Sequence, residues 1–254
     1  MPFLDRADAG RQLAGRLADL AGPAAAGTRS RPAPVTGALT GPVRGTGAGT
    51  ARELAASVGA AASRPVVLAL PRGGVPVALE VARALHAPLD IVLVRKLGVP
   101  FQPELAMGAI GEGGVRVLNR QVVEAARVTA DQLAMVEAIE REELRRRASV
   151  FRDGRPPVPI DGRMVVVVDD GLATGSTARA ACQVVRLRGV RTVVLAVPVA
   201  PARWTHKLSQ VADRLECVES PERFFAIGER YVEFRQTTDE EVIACLQTAE
   251  QERR

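Results

Sequence analysis

The run Met164-Val-Val-Val-Val-Asp-Asp-Gly-Leu-Ala-Thr-Gly-Ser-Thr177 constrains this chain more than any other segment. Successive side chains of a strand point to opposite faces, so four consecutive valines require cover on both sides. A parallel sheet with helices on both faces provides it. Asp169 and Asp170 then stand at the carboxyl end of that strand, where open α/β sheets bind their ligands. Neighbouring carboxylates accept hydrogen bonds from vicinal hydroxyls, with Mg²⁺ nearby to offset their charge. The turn Ala173-Thr-Gly-Ser-Thr177 opens a helix, and its free N–H groups and hydroxyls suit a phosphate. Gly175 lets the backbone approach that phosphate closely. A P-loop nucleotidase is excluded, because only three residues separate Gly171 from Gly175 and no lysine follows. A sugar phosphate is the ligand class that these residues favour.

The rest of the chain supports a doubly wound parallel sheet flanked by helices. Apolar residues at helical spacing (Leu4, Leu13, Leu17, Leu20) predict an amphipathic helix over 3–20. Residues 22–50 hold seven Gly and four Pro, no acidic residue and little periodicity, so 22–62 reads as a flexible insertion with a short helical stretch around 51–62. Order returns with a strand at 66–70 that ends at Pro71-Arg-Gly-Gly74, a helix to about His86, and a strand at 90–94 that ends at Arg95-Lys96. A Gly- and Pro-rich stretch, 97–114, precedes a short strand at 115–118 and a strongly helical region, 121–150. After the valine strand, 177–188 reads as a helix, 192–197 as a strand, and 201–212 and 239–252 as helices. Strands alternating with helices give the doubly wound class. The loops 71–74, 95–114 and 169–177 should converge on one site. Domain organisation follows as 1–21 (a helix in the hood or on the core), 22–62 (the insertion) and 63–250 (the sheet domain).

Composition narrows the function classes. A hydrophobic fraction of 47% with only 3% aromatics fits a core of Val, Leu, Ala and Ile. No apolar run approaches the roughly 20 residues that cross a bilayer. Residues 1–8 are charged early and lack the apolar stretch of a secretory leader, so a cytoplasmic location is expected. Cys182, Cys217, Cys245, His86 and His206 show neither zinc spacing nor a disulfide framework and read as core or surface residues. A net charge of +5 with a pI near 9.8 raises nucleic acid, but the 34 basic residues are interleaved with 29 acidic ones. Glu140-Arg-Glu-Glu-Leu-Arg-Arg-Arg147 reads as a solvated, salt-bridged helix face. A basic pocket for a polyanionic small molecule explains the excess, and nucleic acid is not expected. Only two of those basic residues are lysines, Lys96 and Lys207, which singles both out in an arginine-rich chain.

Residues 165–177 resemble the phosphoribosylpyrophosphate-binding motif of type I phosphoribosyltransferases. The region from 65 to about 245, with the helix at 3–20, resembles a bacterial group of that class. The shared stretches are 68–78, 94–100, 103–113 and 236–241; the insertion 22–62 is not covered. The resemblance implies that Asp169 and Asp170 bind the ribose 2′ and 3′ hydroxyls and stand near Mg²⁺, largely without direct ligation. It implies that Ala173, Thr174, Gly175, Ser176 and Thr177 bind the 5-phosphate. Arg72, Gly73 and Gly74 match the pyrophosphate loop, which in the family often carries a non-proline cis peptide. Arg95 and Lys96 match the basic pair opening a mobile loop that closes over the reaction centre, with Lys96 and Arg72 as the catalytic charges. A small variable hood completes the fold and sets acceptor specificity, and a homodimer is expected.

Ala173 stands where family members acting on 6-oxopurines carry an aspartate base, which argues against hypoxanthine–guanine salvage. Phe224, Phe225, Tyr231 and Phe234 are half of the chain's aromatics and fall within eleven residues, where core packing is favoured over stacking on a flat acceptor. Glu104 and Glu112 have no role beyond anchoring the 97–114 stretch. The leading reading is transfer of the 5-phosphoribosyl group of 5-phosphoribosyl-1-pyrophosphate to a nitrogen acceptor. The alternatives are a protein that senses this donor and a hydrolase that delivers it to water. Because 22–50 carries no apolar periodicity, its deletion should move the melting temperature by no more than about 3 °C, whereas a loss above about 10 °C would mark it as an ordered element.

Overall fold

A computed structural model describes residues 1–21 and 64–253, apart from the Lys207 side chain. The expected insertion 22–62, including its short helical stretch, lies outside the described residues. Five parallel strands form the central sheet: β1 (Val66–Ala69), β2 (Leu89–Ile91), β6 (Met164–Val168), β7 (Thr192–Val199) and β8 (Arg214–Glu219), in the order β2-β1-β6-β7-β8. A second, antiparallel sheet holds β3 (Val94–Val99), β4 (Gln102–Gly111) and β5 (Arg116–Leu118). The helices are α1 (Arg6–Arg16), α2 (Gly74–Leu85), α3 (Arg120–Ala125), α4 (Ala130–Arg152), α5 (Ser176–Leu187), α6 (Thr205–Leu208) and α7 (Asp239–Arg253).

The valine strand sits in the middle of the sheet, and its alternation divides two cores. Val166 and Val168 join Val67, Ala69, Val194 and Ala196 in one cluster with Leu13 of α1, Val77 and Val81 of α2 and Leu246 of α7. Val165 and Val167 join Val66, Leu68, Val193 and Leu195 in the other, with Ala181, Cys182 and Val185 of α5. Each buried Val contributes about 1.5–3 kcal/mol, so sliding β6 by one residue, which exchanges the two faces, would be strongly resisted. The doubly wound parallel sheet predicted from the sequence is therefore the architecture observed.

Several segments differ from the sequence expectations. The strand expected at 90–94 is two: β2 stops at Ile91 and β3 starts at Val94, so Arg95 and Lys96 lie within a strand. The stretch 97–114 is mostly a hairpin rather than an open loop. Leu97, Val99, Met107 and Ile110 are fully buried, and that burial pins the strands. Its glycines serve close packing: a Cβ on Gly98 would lie 2.5 Å from the Pro103 carbonyl, and one on Gly111 would collide with Val184 of α5. The helical region 121–150 divides where Arg127 takes φ 53°, with Asn119 capping α3 and Thr129 and Gln132 forming a capping box on α4. The helix expected at 201–212 shrinks to Thr205–Leu208, and β8 has no counterpart in the sequence reading. As an edge strand it is half-buried throughout, so its apolar signal is weak.

Helix α1 starts at the Asp5 cap and buries Leu13 against α2, while Leu4 lies outside it and stays exposed. Gly10 makes the contact with α2 close: a Cβ there would sit 2.6 Å from the Val77 carbonyl and 2.9 Å from the Glu80 Cβ. Gly15, in the same helix, has no atom within 4 Å of its would-be Cβ. Gly10→Ala should therefore cost about 1–3 kcal/mol, which corresponds to several degrees of melting temperature in a domain of roughly this size. Gly15→Ala should stabilise by about 0.5–1 kcal/mol through helix propensity. Thermal melts of the pair give opposite signs if α1 is seated as described.

Candidate functional site

Pairing between β1 and β6 brings their carboxyl ends together. Leu70 donates its backbone N–H to the Val168 carbonyl at 2.8 Å, so the chain at 71–74 leaves directly beside Asp169 and Asp170. The Pro71–Arg72 peptide bond is cis. A Cβ on Gly73 would collide with the Asp170 carboxylate, and one on Gly74 would lie 2.8 Å from the Val168 carbonyl and 2.9 Å from the Asp169 Cα. The two glycines are thus required by the packing of this loop on the acidic step. Arg72 reaches outward, with Nη1 3.5 Å from Asp239 Oδ1 at the start of α7.

The acidic pair is half-buried, and burial pushes both carboxyls above the ordinary range. For Asp169 the charge of Asp170 adds to that effect. For Asp170 the Arg6 guanidinium opposes it. Arg6 donates from Nε and Nη2 to Asp170 Oδ2 at 2.9 and 2.8 Å, and from Nη1 to the Arg235 carbonyl at 2.7 Å. Its guanidinium carbon lies 4.1 Å from the Phe234 ring centroid. Tyr231 donates its hydroxyl to the Asp170 carbonyl at 2.6 Å and packs between Phe3 and Phe234, with ring centroids 5.3 and 4.8 Å away. The chain at 3–4 pairs with the chain at 230–233: Phe3 donates its N–H to the Arg230 carbonyl, and Val232 to the Phe3 carbonyl, both at 2.8 Å. A small hood of both segments therefore borders the acidic pair. Three of the four flagged aromatics pack, and Phe225 stands 83% exposed.

The phosphate turn follows at once. Gly175 holds φ 72°, a left-handed conformation that glycine adopts without strain, and α5 begins at the next residue. The Thr174 and Ser176 hydroxyls are 3.0 Å apart. Ala173, Thr174, Ser176 and Thr177 are exposed. A cavity of about 650 Å³ joins Ser176 and Thr177 to Pro71, Arg95 and Lys96. The three sequence-predicted loops therefore meet, although the middle one is a hairpin. Within that cavity Arg95 donates from Nε to Glu140 Oε2 at 2.6 Å, and Lys96 Nζ lies 3.4 Å from Glu104 Oε2. Glu112 anchors the end of the hairpin by pairing with buried Arg152, whose Nε also donates to Asp90 at 3.0 Å, whereas Glu104 is exposed and meets only Lys96 of the same hairpin.

A family model described as the phosphoribosyl transferase domain matches residues 47–233. The chain belongs to that family. Two Mycobacterium tuberculosis proteins, from strains H37Rv and CDC 1551, carry provisional phosphoribosyl transferase names and are 48% identical over 247 residues. The match covers 97% of this chain and 47% of theirs, so the chain spans about half the length of the curated relatives it matches. The crystal structure of TT1426 from Thermus thermophilus superposes with a TM-score of 0.74 at 40% identity, covering 98% of this chain and 99% of that one. The parallel sheet with flanking helices is the type I phosphoribosyltransferase-like fold that the motif implied.

Arg6, Tyr231, Asp239 and Glu140 border this phosphoribosyltransferase-like site without having been singled out for it by sequence. Glu140 belonged to a helix face read as solvated, and the structure turns it inward to Arg95. Arg6 carried no local signal, being one arginine among many on an amphipathic helix. Removing it leaves two neighbouring half-buried carboxylates without this partner. Arg6→Ala should cost roughly 2–5 kcal/mol at neutral pH, the range for breaking a desolvated charge pair. Because burial raises the Asp170 pKa, acidification protonates the carboxyl and removes the penalty, so the gap to the parent should narrow as pH falls. Denaturant melts across pH test this, and a gap independent of pH would make Arg6 a packing residue.

Proposed function

We propose that this chain transfers the 5-phosphoribosyl group of 5-phosphoribosyl-1-pyrophosphate to a nitrogen acceptor and releases pyrophosphate. The observation that carries this reading is the close packing of the 71–74 loop on Asp169-Asp170, one turn before the exposed 173–177 turn. A ribose hydroxyl pair, a 5-phosphate and a pyrophosphate require three such binding elements side by side. Family membership supports phosphoribosyl transfer in general, and the acceptor and the donor contacts are inferred from the site.

In this scheme Asp169 and the free oxygen of Asp170 accept from the ribose hydroxyls. Ala173, Thr174, Gly175, Ser176 and Thr177 hold the 5-phosphate through main-chain N–H groups and hydroxyls. Arg72, with Gly73 and Gly74, faces the pyrophosphate; its ion pair with Asp239 is partly exposed and exchanges easily for a stronger anion. Arg95, oriented by Glu140, frames the entrance beside Lys96. The C1–O bond to pyrophosphate breaks with its electron pair leaving on oxygen, the acceptor nitrogen forms the new C1–N bond, and its proton passes to solvent. Positioning and charge stabilisation account for the rate, with no covalent enzyme intermediate.

Among the described residues no group of three or more His, Cys, Asp or Glu gathers that could hold a metal ion. One Asp170 oxygen is already taken by Arg6. Two half-buried carboxylates held above their ordinary pKa fit a cation that arrives with its own oxygen ligands, so Mg²⁺ would be held by the donor with Asp169 and Asp170 close by. When bound it would neutralise pyrophosphate charge.

Screening nucleobases and other amines with the donor and Mg²⁺, following pyrophosphate release, tests the reading directly. Acceptor-dependent release supports transfer, acceptor-independent release marks a hydrolase, and donor binding without release marks a sensor. Lys96 makes only an exposed pair with Glu104, worth about 0–1 kcal/mol, so its ammonium is available to the departing pyrophosphate. Charged hydrogen bonds contribute about 1.5–3 kcal/mol, so Lys96→Ala should slow turnover by roughly ten- to a hundredfold with little change in donor affinity. Lys96→Arg should rescue it only in part. Unchanged turnover in Lys96→Ala would transfer the role to Arg72 or Arg95.

A further inference from the structure

Among the described residues only three charged side chains are buried, Asp90, Glu137 and Arg152, and all three lie where α4 meets the two sheets. Glu137 accepts from Arg116 of β5 at 3.0 Å and from Arg141 of its own helix at 3.1 Å. Arg152, the last residue of α4, bridges two carboxylates from different sheets. Its Nε donates to Asp90 of β2 at 3.0 Å, and its Nη1 and Nη2 donate to Glu112, directly after β4. Nη2 also reaches the Ile91 carbonyl at 3.2 Å. Asp90 accepts further from the backbone N–H groups of Ile91 and Val158, at 2.8 and 2.9 Å. Asp90 precedes β3 and Glu112 follows β4, so one guanidinium holds both legs of the hairpin at its root. Val94 pairs with Gly111 there, and Lys96 pairs with Ala109 two residues further out. Towards the tip the support thins, because residues 102–106 of β4 are all exposed.

Stability is a poor account of such a joint. Replacing a buried ion group by well-packed apolar residues is often neutral or stabilising, so the trio is better explained by the direction it imposes. A planar fork that meets carboxylates from two sides fixes orientation as well as distance. Reacting groups displaced by about 1 Å can lose roughly a hundredfold in rate, so a small error at the root is enough to matter at Lys96. The same helix presents Glu140 to Arg95 at 2.6 Å, so the joint at its C-terminal end bears on Arg95 too. We propose that Arg152 is a positioning residue for phosphoribosyl transfer: it sets the hairpin on the central sheet so that Lys96 stands in one cavity with Pro71, Ser176 and Thr177. This rests on the transfer reading. Arg152 is no part of that cavity's lining and acts through the two strands alone.

Pyrophosphate release from 5-phosphoribosyl-1-pyrophosphate with Mg²⁺ is measured for the full chain, in water and with the acceptor that the screen returns, alongside donor calorimetry and thermal melts. Arg152→Met should lower kcat by about tenfold or more while donor Kd stays within about threefold, the split expected when a group that serves the transition state is misplaced. Arg152→Lys keeps the charge without the fork and should restore only part of the rate. Glu112→Gln weakens only the hairpin leg and leaves Arg152 on Asp90; it should lower kcat in the same direction, and it replaces Arg152→Met if that variant fails to fold. A double-mutant cycle separates positioning from a structural role. Lys96→Ala should cost about tenfold or more in the parent but less than about threefold in the Arg152 or Glu112 variant, because an ammonium already out of place has little left to lose. Additive losses, or turnover unchanged in both variants, overturn the proposal and leave the transfer reading intact. No loss in Lys96→Ala also overturns it, since Arg152 then has no ammonium to place. A parent that releases no pyrophosphate refutes the transfer reading itself, and the proposal falls with it.

Discussion

The hydrogen bond from the Leu70 N–H to the Val168 carbonyl is the contact on which the site depends. It extends a parallel register in which Ala69 faces Val168, so β1 and β6 run out at the same height. Burial of both strands on both faces makes that register costly to change. The loops that follow inherit the constraint. Residues 71–74 have nowhere to go except onto the Asp169-Asp170 step, which is why Gly73 and Gly74 lack room for a Cβ. Hydrophobic burial thereby decides where two carboxylates and an arginine-bearing turn meet.

That arrangement carries an electrostatic cost, and the chain's two end segments offset part of it. Neighbouring half-buried carboxylates disfavour each other's ionisation. Arg6 stands against Asp170 from a helix 164 positions earlier, held between that carboxylate and the Phe234 ring. Tyr231 ties the 227–238 segment to the Asp170 carbonyl, and the backbone pairing of 3–4 with 230–233 joins the two ends into a hood.

Much of this was legible in residues whose chemistry allows few alternatives. Continuous β-branched runs at 66–67 and 165–168 admit only a strand covered on both faces, and Asp169 to Thr177 then had to lie at the ligand edge of the sheet. Lys96 and Arg95 share a cavity with Pro71, Ser176 and Thr177, although their loop proved to be a hairpin. The misreading of 97–114 has a physical cause. Glycine signals both a flexible loop and a strand where two elements touch, and only tertiary contacts such as Gly111 on Val184 distinguish them. Strand β8 was missed because an edge strand needs no strong apolar pattern. Arg6 was missed because no local pattern marks a contact across 164 residues.

The central claim is that the 71–74 loop, the acidic pair and the phosphate turn form one donor site. Calorimetric titration of the full chain with 5-phosphoribosyl-1-pyrophosphate in the presence of Mg²⁺ tests it most directly. The account predicts saturable one-to-one binding that weakens about tenfold or more in Asp169→Asn and in Arg72→Ala, since each removes a charged contact worth roughly 1.5–3 kcal/mol. Absence of donor binding by the intact chain, or binding indifferent to both substitutions, would contradict it.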